Sequence, residues 1–510
     1  MEPIGTITNY YPFLTTETRE IVESLVDNAI SYRDFVRSLL NRASAKQTTN
    51  ELLYLAVLHT WHLNDDEMWL KALLLCEKNV IIKPWKYWDN PNMTSDEFQE
   101  GYQLALDQAI SARPDDWMLL HLGVIGVHLC LFISSFFPPD WQKYATIVED
   151  LVKTRPELRC FETHTYYWQG YLKRLEGDNE GALKDHEEGL RLAEEHDDQI
   201  YVGYHLDWIA TTIMNSDPRG GFLFFQRACR VYESLGARKS AASMMQGMSD
   251  IHTILGEYSS ALELIFEGMD IARGSLESPS PTSTVWSTST AHIYCDLNMG
   301  EQAREWLKWR DESLRPDIQK ELADGELTYH LQLALARTLI HLHKNEEAAE
   351  YLDKAHTLIL EWGFDEGLAL YYYVRGLLEM ASNDSKTALQ TLENSLKAWQ
   401  KLNSQMYINR CLLALAKAES IMAAESDDYS DITSSGRWMS RLEEHAREKN
   451  YPGIRMQHAL LKSKYQAVID EHEAAKFTLK DALTFSDSPG VEVIRERITD
   501  RLEEMEEILQ

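Results

Sequence analysis

Positive charge is what this chain of 510 residues is shortest of: 50 Lys and Arg stand against 81 Asp and Glu, a formal net charge of −31. Nucleic acid and anionic membrane surfaces both reward Lys and Arg, so neither is expected as a partner. Cysteine is scarce as well. The six (Cys76, Cys130, Cys160, Cys229, Cys295, Cys411) make no CxxC pair and lie scattered in apolar helical contexts, which reads as reduced core thiols of a cytoplasmic protein. The opening MEPIGTITNYYPFLTTETRE has no basic stretch followed by an apolar run, so secretion is not expected. Reaction motifs are missing too: there is no GxxxxGK[ST], no GxGxxG after a strand, no HExxH and no GxSxG. HEEGL at His186 and HEAAK at His472 lack the second histidine, and DLNMGEQ from Asp296 has its glycine one place too early for a calcium loop. His341 and His343, two apart, fall on different faces of a helix and do not share a metal. Catalytic residues, metal and cofactor are therefore all expected to be none.

What the sequence does have is a recurring helical hairpin. From Tyr166 to Glu195 two amphipathic segments hinge at Gly177-Asp178-Asn179, with Gly170, Ala182 and Gly189 leaving thin faces where two antiparallel helices close together. Following the small residue that opens each second segment gives Ala182, Gly221, Ala261, Ala303, Ala348, Ala388 and Ala475, at steps of 39, 40, 42, 45, 40 and 87, the last with room for two units. Companions recur around them: Gly256 and Gly268 around Ala261, Ala336 and Ala355 around Ala348, Gly376 and Ser395 around Ala388. Small residues at these offsets about a turn resemble the tetratricopeptide repeat, and a period of about 40 rather than ~34 residues marks the longer-period variety. The resemblance implies an all-α fold, an α-α superhelix: a right-handed solenoid of antiparallel helix pairs over 158–490.

The remaining segments frame that array. Residues 1–112 read as a divergent all-helical N-terminal region in which Thr15 or Thr16 caps a helix, and 113–157 as a buried helix pair or a divergent repeat unit. Between Lys83 and Phe98 two prolines bracket Trp85, Tyr87 and Trp88, which reads as a connector whose rings pack back on the helices or, alternatively, as a binding loop. Trp117 to Phe137 carries no charge over 21 positions, long enough for a bilayer. Its His121 and His128 and its acidic flanks favour a helix buried within the stack, with both histidines hydrogen-bonded in the core. Gly274–Thr290 and Ser426–Gly436 are loop insertions, the first followed by a helix from near Thr284. Residues 491–510 form a capping helix with a single apolar stripe.

In the family resembled, first helices line a concave groove. Aligning on its inward positions nominates His164, Tyr167, Trp168, Tyr171, Arg174, Asp207, Gln246, Asp250, Thr288, Ser289, His292, His330, Arg337, His341 and Tyr373. Tyr and Arg of this kind anchor peptides and proteins. The Lys and Asn of the family's carboxylate clamp are missing from these positions, and Asp207 and Asp250 favour a basic segment. The expectation is a non-catalytic peptide- or protein-binding scaffold or adaptor. The alternative is an all-helical enzyme whose hairpins close into a ring around a pocket; such a ring brings its ends together, whereas an open solenoid leaves them apart.

Overall fold

The computed structural model describes residues 5–45, 48–63, 115–132, 141–273, 281–313, 326–363, 365–425, 436–469 and 471–509, with 68, 71, 72, 75, 107, 110 and 111. The expectations for Lys83–Phe98, 133–137, 274–280 and 426–435 lie outside the described residues. Within them the fold is all-α, with no strand. It divides into two compact units: Met1–Met214, Arg219–Met245 and Ile271–Ser275 form the first, and Asn215–Pro218, Gln246–Asp270 and Leu276–Gln510 the second.

The first unit opens with α1 (Gly5–Thr8), α2 (Thr16–Asn28), α3 (Tyr32–Ala43), α4 (Asn50–His62), α5 (Asp116–Phe132) and α6 (Trp141–Thr154). As expected, Thr15 caps α2, its hydroxyl accepting from the Thr18 N–H. Eight hairpins then follow through the two units: α7 (Glu162–Leu175) with α8 (Asn179–Glu195), α9 (Gln199–Ile213) with α10 (Pro218–Leu235), α11 (Arg238–Leu255) with α12 (Tyr258–Arg273), α13 (Pro281–Asp296) with α14 (Gly300–Ser313), α15 (Glu326–His341) with α16 (Asn345–Trp362), α17 (Asp365–Ala381) with α18 (Ser385–Lys401), α19 (Gln405–Glu425) with α20 (Arg437–Glu448), and α21 (Pro452–Val468) with α22 (His472–Ala482). A last helix, α23 (Glu492–Ile508), carries the buried stripe Ile494, Ile498 and Met505.

The joints explain the periodicity. Every described residue of positive φ, from Asp197 at 52° to Gly177 at 87°, stands two places before the first residue of a helix. A left-handed residue ends one helix by turning the chain, and only Gly, Asn and a few others tolerate that conformation at low cost. Where the residue between is aspartate, its carboxylate caps the next helix: Asp178 accepts from Gly181 N–H at 2.9 Å and Asp384 from Thr387 N–H at 3.1 Å. Ala182, Gly221, Ala261, Ala303, Ala348, Ala388 and Ala475 are each the fourth residue of a second helix, and all seven are buried. The hairpin hidden in the 87-residue step is α19–α20, where the fourth residue is exposed Ser440 and Trp438 and Met439 are buried instead. The thin faces are used as such: a Cβ on Gly170 would meet the His186 ring at 2.6 Å.

In the first unit α7 packs on both α8 and α9, and the chain start is tied to the joint between α8 and α9. Gly5 N–H donates to the Asp197 carboxylate at 3.1 Å, Thr6 Oγ1 to that of Asp198 at 3.2 Å, and Asn9 Nδ2 to the His196 carbonyl at 3.1 Å. The core there is aromatic and histidine-rich: Tyr10, Tyr32, His59, His121, Phe161, His164, Trp168, Tyr201 and His205 are all buried. His121 departs from the expectation of a hydrogen-bonded core residue. Neither ring nitrogen has a partner, and the ring sits against Tyr10 at 4.9 Å and Phe161 at 5.2 Å. The side chain of His128 lies outside the described residues. No helix searched among the described residues is long and apolar enough to cross a membrane.

In the second unit the first helices α13, α15, α17, α19 and α21 pack each on the next, in chain order. Its ends also meet, unlike those of an open solenoid. Gly256, at the α11–α12 joint, touches Gly453 at the start of α21 so closely that a Cβ on Gly453 would stand 2.2 Å from the Gly256 carbonyl oxygen. Ser259 N–H donates to the Gly490 carbonyl at 3.0 Å, and Asn409 Nδ2 of α19 to the Ile254 carbonyl at 2.8 Å.

Candidate functional site: the polar faces of the first helices

In the first unit the nominated residues separate by depth. His164 and Trp168 are fully buried and Tyr167 nearly so. His164 stacks on Tyr201 with centroids 3.8 Å apart, its Nε2 lying 3.8 Å from the Asp198 carboxylate. Burial pushes the His164 imidazole below its ordinary range despite that carboxylate. Burial alone would raise the Asp198 carboxyl, but His164, His62 and the Tyr201 N–H hold it low. These are core positions with no surface to offer a ligand.

Tyr171, Arg174 and Asp207 do reach solvent, and they share a neighbour that the repeat alignment passed over, Trp208. Tyr171 meets the indole edge-on at 4.9 Å, the Arg174 guanidinium lies 5.3 Å over it, and His186 stacks along it at 6.0 Å. Asp207 lies next to Trp208 in the chain; its carboxyl takes the Thr211 hydroxyl at 3.4 Å, and burial pushes its pKa up to about 7. The only sequence signal for Trp208 was a tryptophan on a first helix directly after a nominated aspartate.

In the second unit the nominated residues converge on one another. Arg337 donates through Nη2 to Asp296 Oδ1, and through Nη1 to both the carbonyl oxygen and Nδ1 of His292 at 3.2 Å. Arg410 from α19 takes the other Asp296 oxygen through Nε at 2.9 Å and Nη2 at 2.7 Å. Tyr373 lies under Arg337 at 5.3 Å and Tyr407 under Arg410 at 5.0 Å. The side chains of Arg337, Arg410 and Asp296 are 3%, 4% and 6% exposed, so this is a buried knot rather than a lining. Burial would raise the Asp296 carboxyl; the two guanidiniums outweigh it and hold it below its ordinary value. Burial, then Arg337, drives His292 well below its ordinary range. A neutral imidazole beside an ever-charged guanidinium must accept at Nδ1, so its proton sits on Nε2.

The others stand around this knot. Gln246 Nε2 donates to Asp250 at 3.0 Å, and burial lifts the Asp250 carboxyl to about 6. Thr288 is buried, while Ser289 is half-buried. His330 stacks on Tyr329 at 4.2 Å, and His341 Nδ1 meets the Asn298 side-chain oxygen at 3.1 Å. Asp296 and Arg410 were missed. The sequence offers Asp296 only as the start of an imperfect calcium loop, and Arg410 lies in the step where the small-residue ladder loses register. Its signal was there, as the one charge in YINRCLLALA. Chemically the knot is complete: both Asp296 oxygens are held by guanidiniums, which leaves no free base for proton transfer.

No family model matches the sequence, and no curated protein matches it. Among solved structures, the chain is similar to a Rap protein complexed with competence and sporulation factor, at 12% identity over 68% of this chain and 98% of that one, with a TM-score of 0.42. It is also similar to a signal-transduction ATPase with numerous domains and a tetratricopeptide-repeat sensor from Pyrococcus horikoshii, at 11% identity over 98% of this chain and 74% of that one, TM-score 0.30. A circular tandem repeat protein matches at 12% identity over 94% and 96%, TM-score 0.13. The hairpins themselves, with a small fourth residue in the second helix and a left-handed joint, are tetratricopeptide-like.

Proposed function

We propose that the chain is a non-catalytic scaffold or adaptor of the cytoplasm that holds a peptide or protein segment against the solvent-reaching parts of its first helices. The observation that carries this is the shelf of Tyr171, Arg174 and Trp208 in the first unit, an indole flanked by an aromatic edge and a guanidinium at the surface. Those are the residue types that dominate binding hot spots. Cys160, Cys229, Cys295 and Cys411 are free thiols, which fits a reducing compartment. The ring-enzyme alternative gains the closed ends of the second unit. It gains no chemistry there, since what converges is a fully paired aspartate between two arginines. A basic segment bound at Asp207 in the first unit, or at Asp250 in the second, would have to draw that carboxyl back to full ionisation, so its binding would release a proton near neutrality.

The test is affinity capture from native lysate with the wild-type chain and with Tyr171→Ala and Arg174→Glu. Both substitutions lie at half-exposed positions and leave the thermal midpoint in place. Loss of a partner from both variants supports the shelf; an unchanged set of partners overturns it. Trp168→Ala and Arg337→Glu are unsuitable probes, because each would damage a buried core.

A further inference from the structure

The first unit holds a short piece of its own chain in the manner of a bound peptide. Residues 5–13 lie against the joint between α8 and α9, with Gly5 N–H on Asp197, Thr6 Oγ1 on Asp198 and Asn9 Nδ2 on the His196 carbonyl. The fit at the first of these is so close that a Cβ on Gly5 would stand 1.8 Å from the His196 carbonyl oxygen, which leaves room for glycine alone. Asn9 N–H closes a helical turn on the Gly5 carbonyl at 2.9 Å, and that turn puts Thr6 and Tyr10, four residues apart, on one face. The Tyr10 ring, 2% exposed, fills a pit between His121 at 4.9 Å, Phe161 at 5.2 Å, His59 at 5.8 Å and Trp117 at 6.2 Å.

Two observations mark this segment as an occupant that can leave. The chain behind it is anchored without it. Thr15, at the start of α2, bonds to Glu51 of α4 through its N–H at 3.2 Å and its hydroxyl at 2.8 Å, the Thr18 and Thr49 hydroxyls meet at 3.2 Å, and Arg33 Nη1 of α3 donates to the Gly236 carbonyl at 3.2 Å. The seat beneath it is also poorly satisfied. His121 and His164 are buried with ring centroids 5.9 Å apart, and none of their four ring nitrogens has a hydrogen-bond partner; His164 Nε2 stops 3.8 Å from the Asp198 carboxylate. Buried polar atoms left unpaired are costly, and the Tyr10 ring packed beside His121 does not relieve them.

We propose that the α8–α9 joint and the adjoining pit of His121 and Phe161 are a peptide-binding surface, closed by residues 5–13, that takes a partner segment of the same chemistry: a glycine, a hydroxyl residue next to it, and an aromatic ring five places after the glycine. With residues 5–13 in place His164 offers nothing to a ligand. Tethered beside α2, the resident copy competes at an effective concentration of about millimolar, so a partner enters by pairing the imidazoles that the resident leaves unpaired or by gripping a second surface as well. Such a surface is near. His164 stacks on Tyr201, and two turns further along the same two helices Tyr171 meets Trp208. The proposal rests on the scaffold reading and adds to it a gated contact next to the shelf.

The experiment is fluorescence anisotropy of a labelled synthetic peptide of residues 1–15, titrated with the full chain as wild type and as Gly5→Val; a peptide carrying the same Gly5→Val change is the control. A valine cannot stand where a single Cβ already meets the His196 carbonyl, so the variant expels its own segment and leaves the receiving joint unaltered. Binding at least about tenfold tighter to the variant than to wild type, and lost for the altered peptide, is the expected result. Thr6→Val, which removes only the bond to Asp198, should shift binding in the same direction by less. Equal binding to wild type and Gly5→Val overturns the proposal, as does binding of the altered peptide as tightly as the native one. Loss of cooperative thermal unfolding in Gly5→Val overturns it too, because residues 5–13 are then part of the core. None of these outcomes touches the scaffold reading, which is tested at Tyr171 and Arg174.

Discussion

Acid should dismantle the first unit well before it protonates ordinary carboxylates, and the histidine core sets how steeply. His59 and His186 are driven by burial to about 3, and His121, His164 and His205 are likewise lowered chiefly by burial. In the unfolded chain each would titrate near 6.5, so below that pH the unfolded state binds more protons than the folded one. Stability therefore rises with pH, is fully present above about 6.5, and is lost as pH falls toward the folded values. Each such histidine contributes a slope that approaches about 1.4 kcal/mol per pH unit once the unfolded imidazole is fully protonated and while the folded one stays neutral. Asp207, raised to about 7, runs the other way and offsets about one of the five. Between pH 6.5 and 5.5, where an unfolded imidazole goes from half to about nine-tenths protonated, each histidine that stays neutral in the folded unit costs about 1 kcal/mol, so that several together take a large share of the ~5–15 kcal/mol that holds a typical domain. Urea unfolding followed by tryptophan fluorescence and circular dichroism at pH 7.5, 6.5 and 5.5 measures this directly. His121→Phe is the diagnostic variant, since that ring makes no hydrogen bond and sits among aromatic rings. It should leave stability at pH 7.5 undiminished and reduce the loss between pH 6.5 and 5.5 by about 1 kcal/mol. Equal stability at pH 7.5 and 5.5, or an unaltered slope in the variant, would refute the reasoning.

Other substitutions probe the packing. Asp296→Asn leaves two buried guanidiniums without a counter-charge and should cost about 3–5 kcal/mol by urea unfolding at pH 7. Ala348→Leu places a branched side chain at a fully buried helix crossing and should cost about 1–3 kcal/mol. Trp168→Ala should cost about 3–5 kcal/mol, while Tyr171→Ala, one turn away and half-exposed, should shift stability by under about 1 kcal/mol. Gly453→Ala cannot be accommodated against the Gly256 carbonyl and should expose the joints at 256 and 490 to limited proteolysis; a wild-type digestion pattern would count against the contact.

The hairpins were legible because their joints and crossings have strict steric demands. Only a small residue fits the fourth position of a second helix, and glycine and asparagine are favoured at a left-handed joint, so Ala261 with Gly256, and Ala388 with Asn383, announce their turns. What faces what was not legible. The repeat alignment nominated His164 and Trp168 as inward residues, but each repeat is also a neighbour of others, and α7 is covered by its surroundings. Arg337, nominated for the groove, lies instead in a buried knot. The sequence could not show that Asp296 and Arg410, 41 residues before it and 73 after, would close on it, because that depends on how tightly the stack winds and not on any local preference. Trp208 escaped for a smaller reason: it stands one position off the pattern, where a helix still turns it toward Tyr171.

The meeting of the α11–α12 joint with the start of α21 has a kinetic side. A linear array of hairpins draws its stability from nearest neighbours, so it can begin folding anywhere and shed a terminal repeat with modest loss. Here Gly256 must wait for Gly453, and Ser259 for Gly490, roughly two hundred residues later in synthesis. Such distant pairings slow folding and make it all-or-none. Early hairpins of the second unit must stay unfinished on the ribosome until the closing helix has emerged, a window in which their uncovered faces depend on chaperones.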